Sequence, residues 1–307
     1  MAAASSGAAS SSITDALRAF AAANAVSMDV FHPIAVLSRR KIFAFPFNWT
    51  DAIRRDPTRA MLAAVDTYNV REFDTAVRHG ADIHADDDHA LRQSAYGGYF
   101  AIVHRLIKMG VDIHVREDEA LRTAAEAGHL AVVNRLVIAG ADVHAREDEA
   151  LRMAAGAGHL AVVNRLLLLG ANVHAREDEA LRMAAAGGHL DVLNRLVLSG
   201  ANIHNKNRSA ILAAARNNHF EVVVRLVELG ANIHFSGDQL LHVAVANGNL
   251  EMVSYLVELG ADVNAGGYIH SFDFDYIPSA LDIAEKNGDA NMIALLLELG
   301  AVHPEYI

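Results

Sequence analysis

The chain has 307 residues, a formal net charge of −11 with histidine neutral, and no cysteine. The missing cysteines remove disulfides and thiolate chemistry and fit a reducing interior, and the acidic balance argues against a nucleic-acid surface, which needs a basic stripe. No run of eighteen apolar residues occurs, which argues against a membrane span, so a cytoplasmic protein without cofactors is expected.

Residues 1–13 form an Ala/Ser-rich tail without the basic and apolar regions of a secretory signal, and their low complexity predicts disorder. Residues 14–50 are not repetitive. Thr14 to Ala23 can form a helix, and Phe43, Phe45, Phe47 and Trp49 alternate around Pro46 as in an extended stretch with aromatics on one side. This segment reads as a lid over the first repeat's apolar edge; the alternative is a docking module that recruits a ubiquitin ligase. Residues 51–80 read as a divergent N-terminal capping repeat, in which Tyr68-Asn69 replaces a Gly-His turn.

From 81 to 260 the chain repeats itself in six units of thirty residues, marked by glycines at 80, 110, 140, 170, 200, 230 and 260. Periods of this size signal a solenoid. The unit ADVHAREDEALRMAAGAGHLAVVNRLLLLG, Ala141 to Gly170, reads as two antiparallel helices and a connector. Asp148 precedes the apolar run Ala150, Leu151, Met153 and Ala154, and is expected to cap the first helix there. Gly156-Ala157-Gly158 stops that helix. The second begins near His159, with Leu160, Val163, Leu166 and Leu167 as its buried stripe, and Gly170 supplies a left-handed cap. Residues 261–300 carry ten extra residues and close the array, and 301–307 form a short tail.

GHLAVVNRLLLLGANVH resembles the second helix and turn of the ankyrin repeat, and ALRMAA stands where that family has T-P-L-H-x-A-A. The resemblance covers about residues 51 to 300. It implies an all-α, ankyrin-type helical repeat solenoid of about eight helix–turn–helix repeats. The segment AREDE is three residues shorter than the family's connector and predicts shortened or absent β-hairpin fingers, similar to the ALR-type ankyrin proteins of giant viruses, protists and early-branching fungi. The implied function is a monomeric scaffold for an unidentified protein partner, bound along a concave face.

Candidate chemistry recurs with the repeat. His84, His114, His144, His174, His204 and His234 suggest a metal ladder, but stacked repeats separate equivalent atoms by about 8–10 Å, whereas zinc needs nitrogens about 2.0–2.1 Å from one ion. No metal is expected, and a metal- or pH-responsive role is kept as an alternative. His129, His159, His189 and His219 match the family's Gly-His turn. Arg92, Arg122, Arg152 and Arg182 form a further ladder beside the acidic runs, either neutralising those runs and fixing register or facing a partner. The carboxylates recur identically and no nucleophile motif or phosphate loop is present, so no catalysis is expected. By resemblance, partner contacts fall at positions 96, 126, 156, 186 and 216 and their successors. The middle ones are small, so Tyr96, Tyr99, Arg216 and Asn217 are the richer candidates. Tyr268, Phe272, Phe274 and Tyr276 in the insertion are binding candidates as aromatics on a loop, or else fold over the last repeat as a lid.

Overall fold

The computed structural model describes residues 49–204, 210–234, 238–268 and 276–302. The chain divides into two units, Met1–Asp51 and Ala52–Ile307. The tail 1–13, the helix expected over Thr14–Ala23 and Phe43, Phe45 and Phe47 lie outside the described residues. Trp49 does not continue an extended stretch. It opens helix α1 (Trp49–Arg55), whose Asp51 in the first turn and Arg54 and Arg55 in the last complement the helix dipole.

The capping repeat is α2 (Pro57–Asp66) and α3 (Val70–Arg78). Asp56 caps α2 by accepting from the Arg59 backbone N–H at 2.9 Å, with Pro57 in the first helical position where no N–H is needed. Helix pairs then follow on the thirty-residue beat: α4 (Ala85–Tyr96) with α5 (Phe100–Met109), α6 (Val115–Glu126) with α7 (Leu130–Ala139), and α8 (Ala145–Gly156) with α9 (Leu160–Leu168). Next come α10 (Ala175–Ala186) with α11 (Leu190–Leu198), α12 (Ala210–Arg216) with α13 (Phe220–Glu228), and α14 (Gln239–Ala246) with α15 (Leu250–Glu258). The last unit inserts β1 (Gly267–Tyr268) and β2 (Tyr276–Ile277) before α16 (Ala280–Asn287) and α17 (Ala290–Glu298). First helices pack on first helices and second on second. This is a helical repeat solenoid with, among the described residues, one minimal β-pairing, Gly267 against Ile277 and Tyr268 against Tyr276.

Both turns of the unit close in the same way. Gly170 (φ 92°) lets its own N–H reach the Leu167 carbonyl and the Ala171 N–H reach that of Leu166, and Gly158 (φ 79°) repeats this with Ala155 and, through His159, Ala154. Where glycine is missing from the first-helix turn, Tyr68 (φ 51°) and Asn218 (φ 62°) take the left-handed position. The core is distributed along the array: Leu151, Ala154, Ala155, Val162, Val163 and Leu166 are at most 1% exposed in the central unit. The expected stripe is thus rotated. Val162 replaces Leu160 and Leu167, both only half-buried, because the alanine face of the first helices brings the α9 backbone close.

The connector differs most from expectation. Arg146, Glu147 and Asp148 are all left-handed, with φ between 52° and 57°, as are the corresponding triplets 86–88, 116–118 and 176–178. Asp148 therefore does not cap its own helix; the right-handed turns start at Glu149. A left-handed L-residue costs about 1–2 kcal/mol, so each triplet must be held by its surroundings.

Candidate interaction surface

In three of the four connectors the arginine ladder helps to hold the triplet. Arg152 donates from Nη2 to the Arg146 carbonyl at 3.0 Å and from Nε to the Glu147 carbonyl at 3.1 Å, and pairs through Nη1 with Glu179 of the next repeat. Arg122 does the same to Arg116, Glu117 and Glu149, and Arg92 to Asp86, Asp87 and Glu119. One fork thus fixes its own turn and the neighbour's register. These three side chains are 6–11% exposed and their donors point into the array. Arg182 departs from the pattern because the position thirty residues after Glu179 is Ser209. It turns back to Glu179 at 2.6 Å, and its Nε has no hydrogen-bond partner among the described residues.

The buried aspartate of each connector forms a second fastening. Asp148, 5% exposed, accepts from His144 Nδ1 at 2.9 Å and from the Asn172 backbone N–H of the next repeat at 3.0 Å. Asp118, Asp178 and Asp238 do likewise with His114, His174 and His234 and with the backbone of residues 142, 202 and 262. In the capping repeat Thr58 takes this place, accepting from the Asp82 N–H at 2.9 Å. At position 264 asparagine replaces histidine and holds the end of the array, meeting the Gly300 carbonyl and the Val302 N–H.

The turn histidines form a third. His129, His189 and His219 place Nε2 2.9–3.0 Å from the carbonyls of Tyr96, Gly156 and Ala186, thirty-three residues back. His159 bonds the Glu126 backbone; burial lowers its pKa below the usual 6.5, reinforced by His129 and His189 on either side. The preceding glycine makes room: a Cβ on Gly158 would lie 2.5 Å from His189 Nδ1. On the second helices Arg165, Arg195 and Arg225 donate from Nε to the asparagine oxygen of the repeat before, at 2.6–2.8 Å.

Against these fastenings the sequence-derived candidates sort themselves. Tyr99 stands in the turn-histidine position and stacks on Tyr68, ring centroids 4.5 Å apart, with its pKa raised by burial and then by Asp66 and Tyr68. Arg92, Arg122 and Arg152 are engaged as described. Tyr96 is 46% exposed, and Arg216 and Asn217 are exposed at the end of α12. Between them Glu126 is exposed, and the row then becomes small at Gly156 and Ala186, where a Cβ on Gly156 would meet Met183 Cε at 2.9 Å. Tyr268 and Tyr276 are paired through their backbones, whereas Phe272 and Phe274 lie outside the described residues, as does the proposed docking segment 14–50 apart from Trp49 and Thr50.

Sequence reasoning missed one surface. Ile138, Leu168 and Leu198 are 74%, 75% and 81% exposed, one per second helix at identical positions in consecutive units. The available signal was their place two residues beyond the buried Leu136, Leu166 and Leu196, too far round the helix to share the core face.

A solenoid whose repeats are joined by such ladders, with side-chain variety confined to rows on its surface, is built as an interaction scaffold. A family model described as ankyrin repeats (3 copies) matches residues 91–177, 121–207 and 181–266, together more than half of the chain. The chain belongs to the ankyrin repeat family. Among solved structures it is similar to the ankyrin repeat domain of human ASB11, at 25% identity and a TM-score of 0.58 over 69% of this chain and 98% of that one. No curated protein matches. Among the described residues, no helix is long and apolar enough to cross a membrane.

Proposed function

We propose that the chain is a protein-interaction scaffold that binds a partner protein along the row of first-helix C-terminal ends, with the insertion as a further contact. The observation behind this reading is the contrast along that row. Tyr96 toward one end and Arg216 and Asn217 toward the other are exposed, as is Glu126, while Gly156 and Ala186 between them offer little or no side chain. An exposed aromatic and an exposed guanidinium are the residue types that dominate interface energetics. The insertion adds aromatics on a backbone whose base is fixed by antiparallel pairing. Affinity capture with the intact chain, followed by capture with Tyr96→Ala, Arg216→Ala and a version lacking 266–277, tests the reading. A partner lost with one of these while circular dichroism stays unchanged supports it, and a partner retained by all three refutes it.

A further inference from the structure

The exposed apolar stripe on the second helices is the centre of a longer, graded row. The preceding units place Arg78 and then Lys108 at the equivalent position; the following units place Glu228 and then Glu258 there, and all four are exposed. Counted from Leu168 in steps of thirty residues, each charge has its opposite at the same distance on the other side. Lys108 mirrors Glu228 at sixty residues, Arg78 mirrors Glu258 at ninety, and Ile138 mirrors Leu198 at thirty.

We propose that this row is a homodimer interface in which a second copy lies antiparallel, with the two-fold axis at Leu168. A two-fold contact is isologous: the patch must complement itself when reversed. A row running basic, apolar, acidic does so, placing Lys108 of each copy opposite Glu228 of the other and Ile138 opposite Leu198. With repeats separated by about 8–10 Å, Lys108 to Glu228 spans about 32–40 Å, long enough for an interface of ordinary size. The adjoining surface row adds to the polarity, with Arg71 at the N-terminal end, Ala131 and Ala161 in the middle and Asp191, Glu221 and Glu251 toward the C-terminal end, all exposed. The small central residues allow close approach. The arginines beside the stripe do not oppose it, since Arg165 and Arg195 are turned along the array onto Asn134 and Asn164. Glu228 also pairs with Arg225 at 2.9 Å, but an exposed pair of this kind is weak and screened. Three large apolar side chains left 74–81% exposed in successive units gain most from a partner that covers them. The row containing Tyr96, Arg216 and Asn217 is separate from this surface, so both can be occupied together.

Sedimentation velocity on the intact chain, at about 100 μM and so a hundredfold above micromolar affinity, is expected to give twice the mass of one chain. Leu168→Arg, at an exposed position that leaves the helix intact by circular dichroism, is expected to give a monomer. Lys108→Glu and Glu228→Lys each set like charges against each other at two symmetric sites and should weaken the dimer at least tenfold at low salt; the double variant should restore it. A monomeric intact chain overturns the proposal, even if Leu168→Arg then abolishes capture of some other protein, because the stripe would then belong to that protein. A dimer that survives Leu168→Arg overturns it as well. A dimer lost in Leu168→Arg but not restored by the double charge exchange overturns the antiparallel register.

Discussion

The central units, from Val111 to Gly200, and the ends of the array are built on one plan but closed differently. In the centre every connector carries the left-handed triplet, the buried aspartate with its histidine and the turn histidine over a glycine, and the first two of the three also carry the arginine fork. Toward the C-terminus the set thins. Arg182 faces a repeat with serine instead of glutamate, Asn249 replaces the turn histidine, and Gly248 has only Asp289 Oδ2 near its missing Cβ, at 3.4 Å. At the N-terminus Thr58 and Tyr68 stand in for aspartate and glycine. Repetition thus fixes register in the middle, and the ends use capping residues such as Ser279, whose side chain and that of Asp282 cap each other's backbone.

The comparison can be broken most sharply at the arginine ladder. Arg152→Ala removes the donors to the Arg146 and Glu147 carbonyls and leaves the partly buried Glu179 with only Arg182, and should cost about 3–5 kcal/mol in a chemical unfolding experiment. Arg152→Lys should recover little of this, because an ammonium cannot satisfy two carbonyls and a carboxylate in a fork. Arg182→Ala should cost clearly less, since its next-repeat partner is missing. Equal losses at 152 and 182 would show that the inter-repeat pair is not what stabilises the centre.

A smaller contrast lies in the turns. Gly248→Ala should cost about 1–2 kcal/mol for its positive φ alone, whereas Gly158→Ala carries the same strain and also displaces the His189 ring, so its loss should be larger. Combining Gly158→Ala with His189→Ala should remove much of the excess, as a double-mutant cycle would reveal.

One turn histidine, His159, also sets a pH dependence. Burial favours neutral His159, so its folded pKa lies below 6.5, and the unfolded chain takes up its proton first as pH falls. Its contribution is complete above pH 6.5 and is lost as pH drops through 6.5 toward the folded value. Thermal unfolding from pH 7.5 to 5 should show this loss, and His159→Gln should flatten the slope. The smallest effect belongs to the connector surface. Glu147, paired with Arg176 at 3.3 Å across exposed side chains, should tolerate Glu147→Gln within about 1 kcal/mol.

Much of this molecule was legible in one unit of its sequence. A strict period with glycine at each helix end admits few architectures, because glycine is the residue that reaches positive φ without strain, so Gly158 and Gly170 announced both turns. The arginine and acidic runs were legible as a self-neutralising face. Which carboxylate each arginine takes was not: Glu149 lies three residues before Arg152 on the same helix, yet Arg152 reaches Glu179 in the next repeat. Nor did local rules forecast Asp148 buried in a left-handed turn, because cap preferences consider one helix at a time, and this aspartate serves a backbone N–H twenty-four residues ahead. Exposure was hidden for the same reason: Leu166, Leu167 and Leu168 are identical in sequence but buried, half-buried and 75% exposed in the array. The sequence by itself determined the period, the helices and the turns, which depend on interactions within a few residues. Register, the employment of each charge and the face left open were decided only by stacking, because each needs an atom that the next repeat supplies.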